Sequence, residues 1–300
     1  MSFHIGLDIG GTKTAGAVFD ANGREIAQTL LPTPGTYLDL LKTCAHIVDQ
    51  LDNKCGQHAS VGVGVPGAVD QSTGTVPFTG NTPSLSGQPL QKDLEKLLAR
   101  PVRLANDADC AALSEAVDGA GAGYKTVFGL IMGTGVGGGF VVNGEVVEGA
   151  NGLTGEFGHI VVPFREASDG PIVTCICGQH GCIDKSISGL ALARLHETRG
   201  GQKIDATQIA DLARQGDAKA KHTLDQFYTV VAKAMVVVIY TFDPEIIVVS
   251  GGLSQLPGMC DEVPKRWGQY AACKNPKTKF VAAKHGAMSG LRGAAWVGKN

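Results

Sequence analysis

The feature that most limits how this chain can fold is a pattern that occurs twice. The stretches "FHIGLDIGGTKTAGAVFDANGREI" (3–26) and "TVFGLIMGTGVGGGFVVNGEVVEG" (126–149) both read as strand, glycine turn, strand, Asn-Gly turn, strand. Apolar runs bounded by turn residues are strand signals, and Asn-Gly between two of them is a hairpin signal. A repeated opening predicts two domains of the same build. Two such openings facing each other would bring two glycine turns to one cleft. At 300 residues the chain has room for both cores.

Elsewhere strands and helices alternate, the pattern of an α/β protein. Residues 36–51 place apolar side chains at helical spacing, 60–67 form an apolar strand ending in a turn, and 88–99 form a second helix. A short strand at 102–105 runs into a helix at 106–117, capped by Asn106 or Asp107. The glycine-rich "DGAGAGYK" (118–125) is the expected domain boundary. Beyond it the chain is more helical. Residues 217–242 form one long core-facing helix, 244–253 an apolar strand ending in a glycine pair, and 286–298 a helix of small residues suited to close packing.

The 42 glycines are about twice the usual share, more than loop closure requires. A net charge of -2 without a basic block gives no electrostatic support to a nucleic-acid partner. The N-terminus shows no basic segment followed by a long apolar one, so no signal peptide is expected. The most apolar stretch, "VVAKAMVVVIYTF", is interrupted by Lys233 and reads as too short to span a membrane. The expectation is a cytoplasmic protein with no membrane partner, in which the eight cysteines stay reduced.

Three glycine sites carry potential chemistry. In "LDIGGTKT" (7–14), Gly10 and Gly11 allow backbone N–H groups to approach an anion, with Thr12 and Lys13 beside them. Asp8 is placed to face a Mg²⁺ bound to phosphate. The alternative is a plain hairpin, since neither the P-loop nor the dinucleotide spacing is present. "MGTGVGGG" (132–139) holds Gly133, Gly135, Gly137, Gly138 and Gly139, more than a hairpin needs, and paired with the first turn it suggests a phosphate clamp. "VVSGGL" (248–253) ends a buried strand in Gly251 and Gly252, where α/β sheets bind ligands. In "ANDADCAAL" (105–113), one of Asn106 and Asp107 can cap the helix while the other accepts a proton from a substrate hydroxyl. "GEFGHIVV" puts Glu156 and His159 on one side of a helical turn.

"TCICGQHGCID" (174–184) gathers Cys175, Cys177 and Cys182 in the spacing C-x-C-x4-C. Three thiolates and His159 would complete a closed tetrahedral zinc site, with His180 as the competing fourth ligand. Compartment disfavours disulfides, and the redox motif C-x-x-C is absent.

Taken together, "DIGGTK", "VGVPG", "NDADCAAL", "GTGVGGG", "GEFGH" and "CICGQHGC" closely resemble the ROK family of bacterial sugar kinases and repressors, over residues 4 to the C-terminus. The resemblance implies an actin-like ATPase (ribonuclease H-like) fold, two related α/β domains around a central cleft. Residues 1–118 plus 285–300 would form the smaller domain and 119–284 the larger. It implies ATP-dependent phosphorylation of a sugar 6-hydroxyl, with N-acetyl-D-glucosamine first and glucose, fructose or N-acetylmannosamine as alternatives. A repressor role is disfavoured, because only a few residues precede "DIGGT" and no helix-turn-helix fits there.

By the same resemblance, Asp8, Gly10, Gly11, Thr12, Lys13, Gly133, Thr134, Gly135, Gly137, Gly138 and Gly139 would hold the ATP phosphates with Mg²⁺. Gly251 and Gly252 would lie near the adenosine. Asp107 would be the catalytic base, with Asn81, Asn106, Glu156, His159 and Asp184 around the sugar. His159, Cys175, Cys177 and Cys182 would bind a structural zinc, and a homodimer is usual. At position 184 the family has glutamate, so the acid is kept here but its reach is shorter by one methylene.

Overall fold

The computed structural model describes residues 2–77, 79 and 82–299. The first half opens with β1 (Phe3–Ile9), β2 (Lys13–Asp20) and β3 (Glu25–Pro32), then α1 (Tyr37–Cys55), β4 (Ser60–Val65), α2 (Leu90–Leu98), β5 (Val102–Asn106) and α3 (Asp107–Val117). The second repeats the opening with β6 (Thr126–Met132), β7 (Val136–Val142) and β8 (Glu145–Val146). It continues with α4 (Gly189–Thr198), α5 (Ala206–Arg214), α6 (Ala218–Phe242) and β9 (Ile246–Ser250). α7 (Met259–Glu262), α8 (Pro264–Trp267), β10 (Lys279–Ala282) and α9 (Ser289–Val297) complete it.

The sheets have the orders β3-β2-β1-β4-β5 and β10-β9-β6-β7-β8. Counted from each opening, these are one topology: an antiparallel meander whose first strand pairs in parallel with a later strand, which pairs in parallel with the next. The repeat read from the sequence is therefore a repeat of whole sheets. Its third strand is reduced in the second half, where β8 pairs over only two residues before the chain turns away.

Local chemistry sets the helix ends. Thr36 caps α1 through the Asp39 N–H, and Gly56 closes it in the left-handed conformation. Asp217 caps α6, which stops at Asp243 just before Pro244.

The 25 residues of α6 correct the expectation that this region is too short to cross a membrane; by length and composition it is long enough. It is instead the core helix of the second half, buried under β6, β7 and β9 with Phe227, Val231 and Met235 inside. Lys233 is fully buried there, and its ammonium donates to Asp169 at 2.9 and 3.1 Å and to Glu166 at 3.3 Å. Those bonds outweigh burial and raise the lysine's pKa, so the charge is retained and ties residues 166–169 to α6.

α3 follows the first sheet but lies on β6 and β7 of the second, whereas α9 follows the second and lies on β1 and β4 of the first. The two helices cross against each other. Several of the glycines serve this packing. A methyl group at Gly293 would collide with the Cys110 carbonyl, at Gly6 with that of Leu291, and at Gly62 with that of Ala294. At Gly139 it would come within 2.8 Å of the Ala108 carbonyl oxygen.

The links between the halves are joined by one carboxylate. Glu115 is buried near the end of α3. It accepts from the backbone N–H of Ala120 (2.9 Å), Lys284 (2.9 Å) and His285 (2.8 Å), and from the Ser289 hydroxyl (2.8 Å).

Gly293→Ala should destabilise the protein by about 3 kcal/mol, because overpacking outweighs the roughly 1 kcal/mol gain in helix propensity. Urea unfolding checks this against Gly35→Ala, where an added methyl meets no neighbour and the change should stay within about 0.5 kcal/mol.

Candidate active site

Parallel pairing brings the ends of β1, β4 and β5 to one edge of the first sheet, and those of β6 and β9 to one edge of the second. Asp8, Asp107, Gly133 and Gly251 are all at these carboxyl edges, where open α/β sheets bind ligands.

Asn106 and Asp107 divide their work. Asn106 is the N-cap of α3, its Oδ1 accepting from Ala108 N at 2.8 Å while its Nδ2 donates to the Gly67 carbonyl at 3.0 Å. Asp107 opens the helix, and its Oδ1 also accepts from Ala108 N at 2.8 Å. Asp107 is exposed to solvent, yet surrounding protein crowds its carboxyl enough to penalise the charge. That enclosure, with the negative charge of Asp8 next and Glu156 behind it, raises its pKa to about 6. The Ala108 N–H opposes the rise and loses. Asp8 is itself raised by burial. Asp109, two residues on, was not singled out from the sequence. Buried against Gly139 and near Glu148, it is pushed to about 8 and is neutral at pH 7.

Glu156–His159 is a single turn of 3-10 helix, which places the Glu156 carboxylate 3.7 Å from His159 Nε2. The other ring nitrogen, Nδ1, faces the thiols, 3.5 Å from Cys175 Sγ. Cys177 Sγ and Cys182 Sγ are 3.6 Å apart, too far for a disulfide and close to the roughly 3.8 Å that two thiolates take on one tetrahedral zinc. The four donor atoms of His159, Cys175, Cys177 and Cys182 all lie within 4.8 Å of one another. Three soft thiols and an imidazole are a donor set suited to zinc. His180 is turned away to Thr174, at 3.2 Å, so the competing ligand is not part of this group.

The glycine positions sort into two kinds. A cavity of about 540 Å³ is lined by Gly133, Thr134 and Gly252, closed by α4, α5 and the turn after β9. Its apolar walls, Leu190, Ala193, Ala206, Ala210, Leu253 and Leu256, carry no motif in the sequence and come together only in the fold. Gly138 and Gly139 serve packing instead: Gly138 lies against the Phe128 ring and Gly139 against the start of α3. Gly137 lies near Ala108, and Gly251, at φ 81°, fits against the backbone of Met132. Gly10, Gly11, Thr12 and Lys13 form the matching turn of the first sheet, tied to Thr33 through Thr12 O and Gly10 O. They do not line the cavity.

Asp184 and Gly135 face each other. A methyl on Gly135 would lie 3.0 Å from the Asp184 carboxylate, which accepts from Val136 N at 2.8 Å. Asn81 lies outside the described residues.

The profile of the ROK family matches residues 4–300. The N-acetyl-D-glucosamine kinase of Yersinia enterocolitica is 41% identical over 299 residues, covering 98% of this chain and 98% of that protein. The N-acetyl-D-glucosamine kinase of Escherichia coli is 38% identical over 300 residues, again covering 98% of each. Among solved structures, a ROK hexokinase from Thermus thermophilus has a TM-score of 0.85 at 31% identity, over 98% of this chain and 97% of that one. A ROK family glucokinase from Streptomyces griseus, solved with glucose and AMPPNP, has a TM-score of 0.78 at 30% identity, over 99% of each chain. The expected two-part actin-like fold is the fold observed. Agreement over the whole length, in sequence and in the doubled sheet alike, shows that the chain belongs to the ROK family.

Proposed function

We propose that this protein transfers the γ-phosphoryl group of ATP to the 6-hydroxyl of N-acetyl-D-glucosamine, with Asp107 as the base. The observation that carries the reading is placement: Asp107 starts α3 at the carboxyl edge of the first sheet, and a cavity of about 540 Å³ lined by Gly133, Thr134 and Gly252 opens at the carboxyl edge of the second. The names of relatives 38–41% identical over nearly the whole chain support the sugar.

In this reading the apolar cavity takes the adenosine and the turn at Gly133–Thr134 meets the phosphates. Lys13 and the turn amides of the first sheet approach from the other side when the halves, 1–118 with 285–300 and 119–284, close on the substrates. Phosphoryl transfer is governed by positioning and charge stabilisation, so the residues mainly orient the 6-hydroxyl and offset negative charge. Closure excludes water and limits ATP hydrolysis. Mg²⁺, delivered with ATP and facing Asp8, would supply further charge neutralisation.

Asp107 takes the hydroxyl proton. A base raised to about 6 is better matched to that proton than an ordinary carboxylate and is still ionised at pH 7. Asn106, Asn81, Glu156 and His159 are the candidate sugar residues, whereas both carboxylate oxygens of Asp184, expected at the sugar from the sequence, are taken up by Val136 N and Lys185. His159, Cys175, Cys177 and Cys182 would hold a zinc ion, whose role is to brace the loop that carries Glu156. His159 links the two, with Nδ1 on the thiol side and Nε2 on the Glu156 side. The protein would work in the cytoplasm, as a homodimer.

Asp107→Asn should lower kcat by about 10²- to 10⁴-fold while sugar binding stays measurable by calorimetry. In the unaltered protein, kcat/KM should rise about tenfold per pH unit up to about pH 6 and level off above it, because only the ionised acid accepts a proton. A profile flat from pH 5 to 8 contradicts the assignment.

Across N-acetylglucosamine, glucose, mannose, N-acetylmannosamine and fructose, the first should have the highest kcat/KM, by about tenfold or more. A preference for glucose or fructose overturns the sugar assignment. Metal analysis should find about one zinc per chain, and Cys177→Ser should lose it together with several degrees of thermal stability.

A further inference from the structure

Asp184 lies against the glycine turn 133–135. It lies in the single 3-10 turn Ile183–Lys185 and is 8% exposed. Its Oδ1 accepts from Val136 N at 2.8 Å, and its Oδ2 pairs with Lys185 Nζ at 2.7 Å. Val136 begins β7 directly after the glycine turn 133–135, so this bond fixes where the turn meets the strand. Two further bonds hold the same turn: Gly189 N donates to Gly133 O at 2.8 Å, and Gly133 N to Gly135 O at 2.9 Å. With those points held, Gly133 and Thr134 face the cavity.

Asp184 is itself held from behind. Ile183 N donates to Ile160 O at 2.9 Å, and Lys185 N to Cys182 O at 3.0 Å. The side-chain-free Gly158 lies beside the Asp184 Cβ, where an added methyl would come to 3.7 Å. The Lys185 ammonium offsets a carboxylate that would otherwise repel a triphosphate. A glutamate, one methylene longer, would have to push the turn toward the cavity or give up Val136 N.

We propose that Asp184 is a positioning residue for the nucleotide: it sets the placement of the turn 133–136, and its loss is felt in nucleotide binding rather than in sugar binding. This rests on reading the cavity as the nucleotide site, so the experiment includes a variant that tests that reading by itself.

Binding of a non-hydrolysable ATP analogue is measured by calorimetry on the full chain, and KM is measured separately for ATP and N-acetylglucosamine. Asp184→Ala and Asp184→Ser, neither of which reaches Val136 N, should raise the analogue Kd and the ATP KM about tenfold, the loss of one charged hydrogen bond. Their sugar KM should stay within about threefold, and thermal unfolding checks that each is folded. Asp184→Asn keeps an oxygen acceptor and should recover most of the nucleotide affinity. A tenfold rise in sugar KM with unchanged analogue Kd overturns the proposal, as does Asp184→Asn losing as much affinity as Asp184→Ala. Gly133→Val is the reference, since a side chain there meets no protein atom within 4 Å. It should weaken the analogue; an unchanged Kd in Gly133→Val overturns the nucleotide reading of the cavity itself.

Discussion

The crossing of α3 over α9 is the contact on which the rest of the molecule depends. Each helix leaves one sheet and lies on the other, so the halves are joined through a helix pair as well as by connecting chain. Backbones can come this close only where no Cβ intervenes, and Gly6, Gly62, Gly139 and Gly293 supply those places. The crossing also aims the chemistry, because Asp107 begins the helix that makes it. Glu115, near the other end of the same helix, gathers backbone donors from both connections and so ties them to the helix that begins at Asp107. Four hydrogen bonds compensate its burial and hold its pKa below the usual carboxylate range.

Electrostatics in the cleft follow from the same placement. Asp8, Asp107 and Glu156 come from three different elements, and burial together with the charges of Asp8 and Glu156 raises the cost of ionising Asp107. Asp109, on the buried side of α3, stays protonated and adds no further charge. The result is two raised acids on one helix, Asp107 at about 6 and still ionised at pH 7 and Asp109 at about 8, and a raised carboxylate of the first kind is suited to accept a proton at pH 7. The thiol–histidine cluster stands at the edge of this region and shares His159 with it, so the loop carrying Glu156 is braced from the cluster side.

Much of this was legible in the sequence. The two meanders, the helix at 106–117, the core helix near 217–242 and the pairing of Glu156 with His159 all depend on neighbours within a few residues. So does the cysteine spacing, which singled out the three thiols that the fold gathers with His159. Other points were not legible. The walls of the 540 Å³ cavity come from α4, α5 and the turn after β9, and nothing local marks them. Asn106 and Asp107 were both candidates for cap and base, and only the bond from Asn106 to Gly67 separates their roles.

By itself the sequence determined the repeated α/β plan, the positions of the turns and the residues able to bind metal, because strand periodicity, glycine turns and ligand spacing are short-range properties. The tertiary structure alone decided which glycines face a helix and which face the cavity. It also decided that Asp107 is lifted to about 6 and that Asp184 spends its carboxylate on Val136 and Lys185. Burial, charge coupling and close approach are sums over residues far apart in the chain, and they take a value only when folding has set the distances.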